Sequence, residues 1–153
     1  MDEKERDYPV FTKEMKKTHT ILLPMMLPIH FALMEQVLRQ EGYKTELLKN
    51  DGRSVVNEGL KNVHNDTCYP ALLVIGQMID ALKSGKYDPD KVALMITQTG
   101  GGCRASNYIY LLRKALKKSG FGNVPVISLN TAGLEESPGF SFTVPLMIKF
   151  VYA

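Results

Sequence analysis

Five apolar residues, Val92-Ala93-Leu94-Met95-Ile96, run directly into Thr97-Gln98-Thr99-Gly100-Gly101-Gly102-Cys103. An apolar run that short suits a strand buried on both faces. Beyond the glycines, Ala105, Tyr108, Ile109, Leu112, Ala115 and Leu116 recur at helical spacing. The order is therefore strand, glycine turn, helix. Three consecutive glycines allow φ > 0, or a close backbone approach to a ligand without Cβ clashes. The unpaired N–H groups and positive dipole end of the new helix face whatever occupies that turn. A thiolate, a phosphate or an anionic iron–sulfur cluster would each be accepted there. A tight turn carrying a buried thiol fits the same residues. A P-loop is excluded because no Gly-Lys-Ser/Thr follows, and a dinucleotide fingerprint because the glycines are consecutive.

The rest of the chain repeats the alternation. Ile21-Leu22-Leu23 reads as a first buried strand, ended by Pro24. Met25-Met26-Leu27 forms a loop, and Pro28 opens a helix where its missing N–H costs nothing. Phe31, Met34, Val37 and Leu38 give that helix an apolar face, and Gly42 stops it. Residues 43–48 read as a second strand. Val55, Val56, Gly59, Leu60 and Val63 suggest a short helix. A longer one starts near Pro70, buries Leu72, Ile75, Ile79 and Leu82, and ends at Gly85. Residues 124–129 form a fourth strand. Alternating strands and helices imply an α/β fold, with a doubly wound, mostly parallel, flavodoxin-like sheet of four or more strands. The expected strand order is 2-1-3-4, and ligands of such sheets gather beyond the carboxyl ends of the strands.

Residues 1–17 read as a charged lead-in, 18–135 as the α/β domain, and 136–153 as an apolar tail that begins an element with its partner missing. The chain is thus expected to be a piece of a longer protein. Its 153 residues suffice for one sizeable core. A net charge of +3 is too small to argue for nucleic acid. Apolar runs are broken before membrane-spanning length, so neither nucleic acid nor membrane is expected as a partner. Charges alternate at the N-terminus and no secretory signal is read there. With two cysteines, this points to a cytoplasmic thiol rather than a structural disulfide.

Those cysteines, Cys68 and Cys103, lie 35 positions apart, each behind a polar or glycine loop and ahead of a helix. A helix N-terminus favours the thiolate, the form that binds metal or attacks an electrophile. A shared metal or redox site and two separate structural thiols both fit this placement, and the spacing carries no cluster signature of its own. Two cysteines cannot complete a four-thiolate set, so further ligands would come from outside the chain, from a second copy or from another group. His64 reads as a solvent-facing loop residue, His30 as a helix start and His19 as a strand edge. Asp66 and Thr67 are expected to cap the helix after Cys68. Arg104 either pairs with an anion beside Cys103 or lies on an exposed face. Ser106 and Asn107 are expected in the first helical turn.

The stretch Asn65-Asp66-Thr67-Cys68-Tyr69-Pro70-Ala71, together with residues 97–109 around the glycines, resembles the activase-related proteins of the 2-hydroxyacyl-CoA dehydratase family. Val124-Pro125-Val126-Ile127-Ser128-Leu129-Asn130 resembles the strand that follows in that family. The resemblance covers most of residues 19–130, and its most specific part is the glycine–cysteine–arginine stretch. It implies a [4Fe–4S] cluster, low-potential electron transfer and a link to 2-hydroxyacyl-CoA dehydration, with an ATP-dependent activator module as partner. On this resemblance Cys68 and Cys103 are cluster ligands, and Gly100, Gly101, Gly102 and Arg104 line the cofactor. The chain departs from the family in lacking a third cysteine and any ATPase module. A domain of this kind alone is not expected to be a complete enzyme. A cluster-free scaffold that binds an acyl-CoA or a protein at the strand ends is the rival expectation.

Overall fold

The computed structural model describes residues 7–64, 67–98, 104–130, 135 and 137–140. Four strands form one parallel sheet: β1 (Thr20–Leu23), β2 (Lys44–Leu47), β3 (Val92–Thr97) and β4 (Val126–Leu129), in the order β2-β1-β3-β4. Both the strand order and the all-parallel pairing match the sequence expectation. The helices are α1 (Met15–Thr18), α2 (Pro28–Gln40), α3 (Arg53–Asn62), α4 (Tyr69–Lys83) and α5 (Tyr108–Lys118). Short 3-10 turns, Pro89–Lys91 and Arg104–Asn107, lead into β3 and α5.

Side chains alternate across the sheet with the period of a strand. Ile21, Leu23, Ala93, Met95 and Ile127 point to one face, where Phe31, Met34 and Leu38 of α2 cover them. Leu22, Val92, Leu94, Ile96 and Val126 point to the other, beneath α4 and α5. Both faces are therefore dry, as a parallel sheet requires. The α2 face also receives Phe11, fully buried, and Phe140, whose ring lies 5.5 Å from that of Tyr43. Gly139 N–H donates to the Phe11 carbonyl at 2.9 Å, so the two flanks of the chain meet over this face. Phe11 alone contributes about 2 kcal/mol of burial there. No helix among the described residues is long and apolar enough to cross a membrane.

Helix ends follow the residues that mark them. Gly42, Gly85 and Gly120 take φ of +83°, +74° and +85° just past α2, α4 and α5. The fourth strand starts at Val126 rather than Val124, since Pro125 offers only its carbonyl, which accepts from Leu94 N–H at 2.9 Å. Nor does α5 begin as the apolar spacing implied: Ser106 and Asn107 lie in the 3-10 turn, and the Ser106 carbonyl accepts from the buried Gln98 amide at 3.1 Å.

Of the 15 residues of α4, ten are buried, because α3 covers the side that the sheet does not. Two glycines permit this approach. A Cβ on Gly76 would stand 2.2 Å from the Val55 carbonyl oxygen, and one on Gly59 would stand 2.4 Å from that of Leu72. Glu58 of α3 then meets Lys83 of α4 at 2.6 Å, and Lys61 at 3.3 Å.

In an open helix Gly→Ala would gain about 1 kcal/mol. Here Gly76→Ala is expected to cost about 1–3 kcal/mol, because backbone must move. Gly85→Ala, with open space but positive φ, should cost about 1 kcal/mol. Urea midpoints decide it; a Gly76→Ala as stable as the parent would rule out this packing. The Lys83 hydrogen bond, ahead of the opposing effect of burial, holds the Glu58 carboxyl below its ordinary value. The unfolded chain thus binds the proton first on acidification. The pair's contribution is therefore complete above the ordinary glutamate range and is lost as pH falls through the lowered folded-state value. Glu58→Gln should flatten that part of the stability–pH curve and leave its alkaline side unchanged.

Candidate functional site at the strand ends

Crossover helices run opposite to the strands they join, so the N-termini of α2, α4 and α5 come to the rim where β1 and β3 end. Cys68 is the N-cap of α4, half-buried, with Pro70 in the first turn. Its Sγ lies 2.9 Å from the Tyr108 hydroxyl at the start of α5, and Tyr108 is 5% exposed. This contact joins two chain segments 40 positions apart. It puts Cys68 at the same rim as the segment leaving β3, where the sequence reading expected it. The sulfur sits at the positive end of a 15-residue helix, beside a hydroxyl able to donate to it.

Cys103, Gly100, Gly101 and Gly102 lie outside the described residues, as do Asp66 and the tail from residue 141. Arg104 opens the 3-10 turn before α5. The expected capping of α4 by Thr67 is corrected: Cys68 holds the N-cap position without a side-chain cap bond, and the Thr67 N–H donates to the His64 carbonyl at 3.0 Å. His64 and His30 are solvent-exposed, and His19 Nδ1 lies 2.9 Å from Thr18 Oγ1. Among the described residues no three His, Cys, Asp or Glu side chains gather as a metal site.

Two polar assemblies at this rim were not foreseen. In the first, Gln77 of α4 accepts from Met25 N–H at 2.8 Å and donates to the Asn50 carbonyl at 2.8 Å. Asn50 returns two bonds, to the Gln77 carbonyl at 2.9 Å and to Asp80 Oδ2 at 2.8 Å. One buried amide thereby ties the loop after β1 to the loop after β2. The only trace in the sequence is a glutamine inside a nearly uncharged helix. In the second, Gln98 Oε1 accepts from Ser128 Oγ at 2.7 Å, and Asn130 Nδ2 donates to that hydroxyl at 2.8 Å. Asn130 also donates to the Glu135 carbonyl at 3.1 Å, and Glu135 forms a bidentate pair with Arg113 at 3.0 and 2.6 Å. Gln98, two positions ahead of the first glycine, is thus anchored through β4 to α5.

Beside the first assembly lies an open crevice of about 530 Å³, walled by Met25, Val55, Tyr69 and Leu73 and edged by Lys49 and Asp51. Met26 packs against both core clusters and so stands between the strand ends of β1 and β3. No family model, curated protein or solved structure matches this chain.

Gln77→Leu should leave Met25 N–H and the Asn50 carbonyl without partners, at a cost of about 2–4 kcal/mol. Gln77→Glu keeps the acceptor for Met25 N–H but can donate to the Asn50 carbonyl only when protonated, so it should retain part of that stability at acid pH and not at neutral pH. Thermal unfolding of both variants at acid pH tests the clamp, and equal losses there would reject it.

Proposed function

We propose that this domain supplies two thiolate ligands, Cys68 and Cys103, to a [4Fe–4S] cluster. In this reading it is part of a longer activase-related protein of the 2-hydroxyacyl-CoA dehydratase family, working in the cytoplasm with an ATP-dependent activator module. The observation that carries the proposal is the contact between Cys68 Sγ and the Tyr108 hydroxyl at 2.9 Å. Tyr108 follows Cys103 by five residues, a short reach for the chain. The donor chemistry suits such a group. A half-buried sulfur at a helix N-terminus favours the thiolate that iron requires, and a neighbouring hydroxyl tunes its electron donation.

When bound, the cluster would supply one electron at low potential. In this proposal Cys68 ligates iron, and the Tyr108 O–H donates to its sulfur. Gln98 fixes the start of the glycine segment. Gly100, Gly101 and Gly102 would offer backbone N–H groups to the cluster sulfurs, and Arg104 would balance their charge. The remaining ligands come from the rest of the longer protein or from a second copy. The start of α2 supports such a neighbour, since Leu27 at its N-cap and Ile29 in its first turn are 56% and 74% exposed. A second reading rests on the crevice at Met25 and Tyr69. It would hold an acyl-CoA or a protein segment in a cluster-free scaffold, as ligands of parallel sheets collect at strand ends.

The longer protein, purified without oxygen, should be brown and contain iron and sulfide. Cys68→Ser and Cys103→Ser should each lose at least about half of that iron, and Tyr108→Phe should keep the iron but shift the midpoint potential. Colourless parent protein, or iron content unchanged in both serine variants, would refute the cluster and favour the crevice.

A further inference from the structure

Among the described residues, β2 has a strand neighbour on one side only. Leu48 N–H, just past it, donates to the Leu23 carbonyl at 2.9 Å, so even-numbered residues turn their backbone groups toward β1. Thr45 and Leu47 turn theirs outward. Such a row ordinarily templates another strand. Here it is occupied by two side chains of α2. Arg39 donates to the Thr45 carbonyl through Nε at 3.3 Å and Nη2 at 2.9 Å. Glu35 Oε1 accepts from Leu47 N–H at 3.3 Å, and the same oxygen holds Arg39 Nη2 at 2.7 Å. One donor and one acceptor, four residues apart on a helix, thus reproduce the hydrogen bonds of an adjoining strand. Thr45 Oγ1 fastens to the Glu35 carbonyl at 3.3 Å. Along this edge runs an open groove of about 850 Å³, bounded by Glu35, Arg39, Glu46, Asp80 and Tyr87.

We propose that the outer edge of β2 is an interaction edge latched by Glu35 and Arg39, and that the partner it takes when the latch is released is a second copy of this chain. Charge identifies the occupant. Glu46 Oε1 is held within its own copy by Lys86 at 2.5 Å and Tyr87 at 2.7 Å, and its second oxygen is left for a partner. An antiparallel pairing centred on Thr45 sets Lys44 of one copy opposite that Glu46 of the other, and the two-fold axis repeats the match. Thr45 then exchanges its outward groups with its own equivalent, and the two four-stranded sheets become one. The alternative register, centred on Glu46, would oppose two glutamates and is disfavoured. The latch is weak enough to open. Arg39 is 58% exposed in the pair, so solvent screens the ion pair and leaves it a weak fastening.

Sedimentation equilibrium of the 153-residue chain tests this. Glu35→Ala/Arg39→Ala should dimerise with a dissociation constant at least about tenfold tighter than the parent's, since two backbone groups per copy are freed for pairing. Adding Lys44→Glu should remove that gain, and exchanging the charges as Lys44→Glu/Glu46→Lys, with Lys86→Glu to keep the pair inside each copy, should restore it. A double variant that associates no more than the parent, or a dimer indifferent to Lys44→Glu, overturns the proposal. If the double variant fails to fold, amide exchange decides. Leu47 N–H should be protected in the parent, exchange several-fold faster in Glu35→Ala and stay slow in Glu35→Gln, which keeps an acceptor. Leu47 exchange unaltered by Glu35→Ala would equally overturn it.

Discussion

Burial of both faces of β1 and β3 is the constraint on which the remaining structure depends. A parallel sheet has no wet side, so each strand must offer apolar side chains in both directions and each direction must find a helix. Leu22 and Leu94 need α4 and α5; Ile21, Leu23 and Met95 need α2. This demand explains why α4 carries almost no charge and why a further helix, α3, is laid over it. It explains Gly59 and Gly76 as well, since only a missing Cβ lets the third layer come close enough to exclude water from α4. Phe11 and Phe140 complete the cover of the sheet face that α2 packs against.

Polar residues appear where this apolar economy must end. The strand termini release backbone groups that no neighbouring strand takes up, and buried groups of that kind need partners. Gln77 and Asn50 serve the loops after β1 and β2, while Gln98, Ser128 and Asn130 serve those after β3 and β4. The same necessity acts sideways at β2, where α2 lends Arg39 and Glu35 to an edge that would otherwise stand bare. These ties differ in chemistry from the core but arise from the same exclusion of water.

Strand order and helix positions were legible in the sequence because they are local. Periods of two and of 3.6, with Pro28, Pro70, Gly42 and Gly85 as punctuation, are read within a dozen residues. Cys68 at the mouth of α4 followed from Pro70 in the same way. Its contact with Tyr108 did not, being set by how two crossovers dock. Gln77 was hidden for the same reason, as its partner Met25 is 52 positions away. The 3-10 turn before α5 depends on the Gln98 amide, and apolar spacing cannot register such a bond. Cys103 and the three glycines fall outside the described residues, so their reading rests on sequence alone.

The helix that follows β1 lies on one face of the sheet and the helix that follows β3 on the other, so the chain parts at the ends of these two paired strands. Met26 stands at that parting, touching the cores of both faces. A thioether on three freely turning bonds is a soft stopper rather than a wall. The surface beyond the ends of β1 and β3 can therefore change shape by rotamer changes of Met26 alone, while every strand stays where it is.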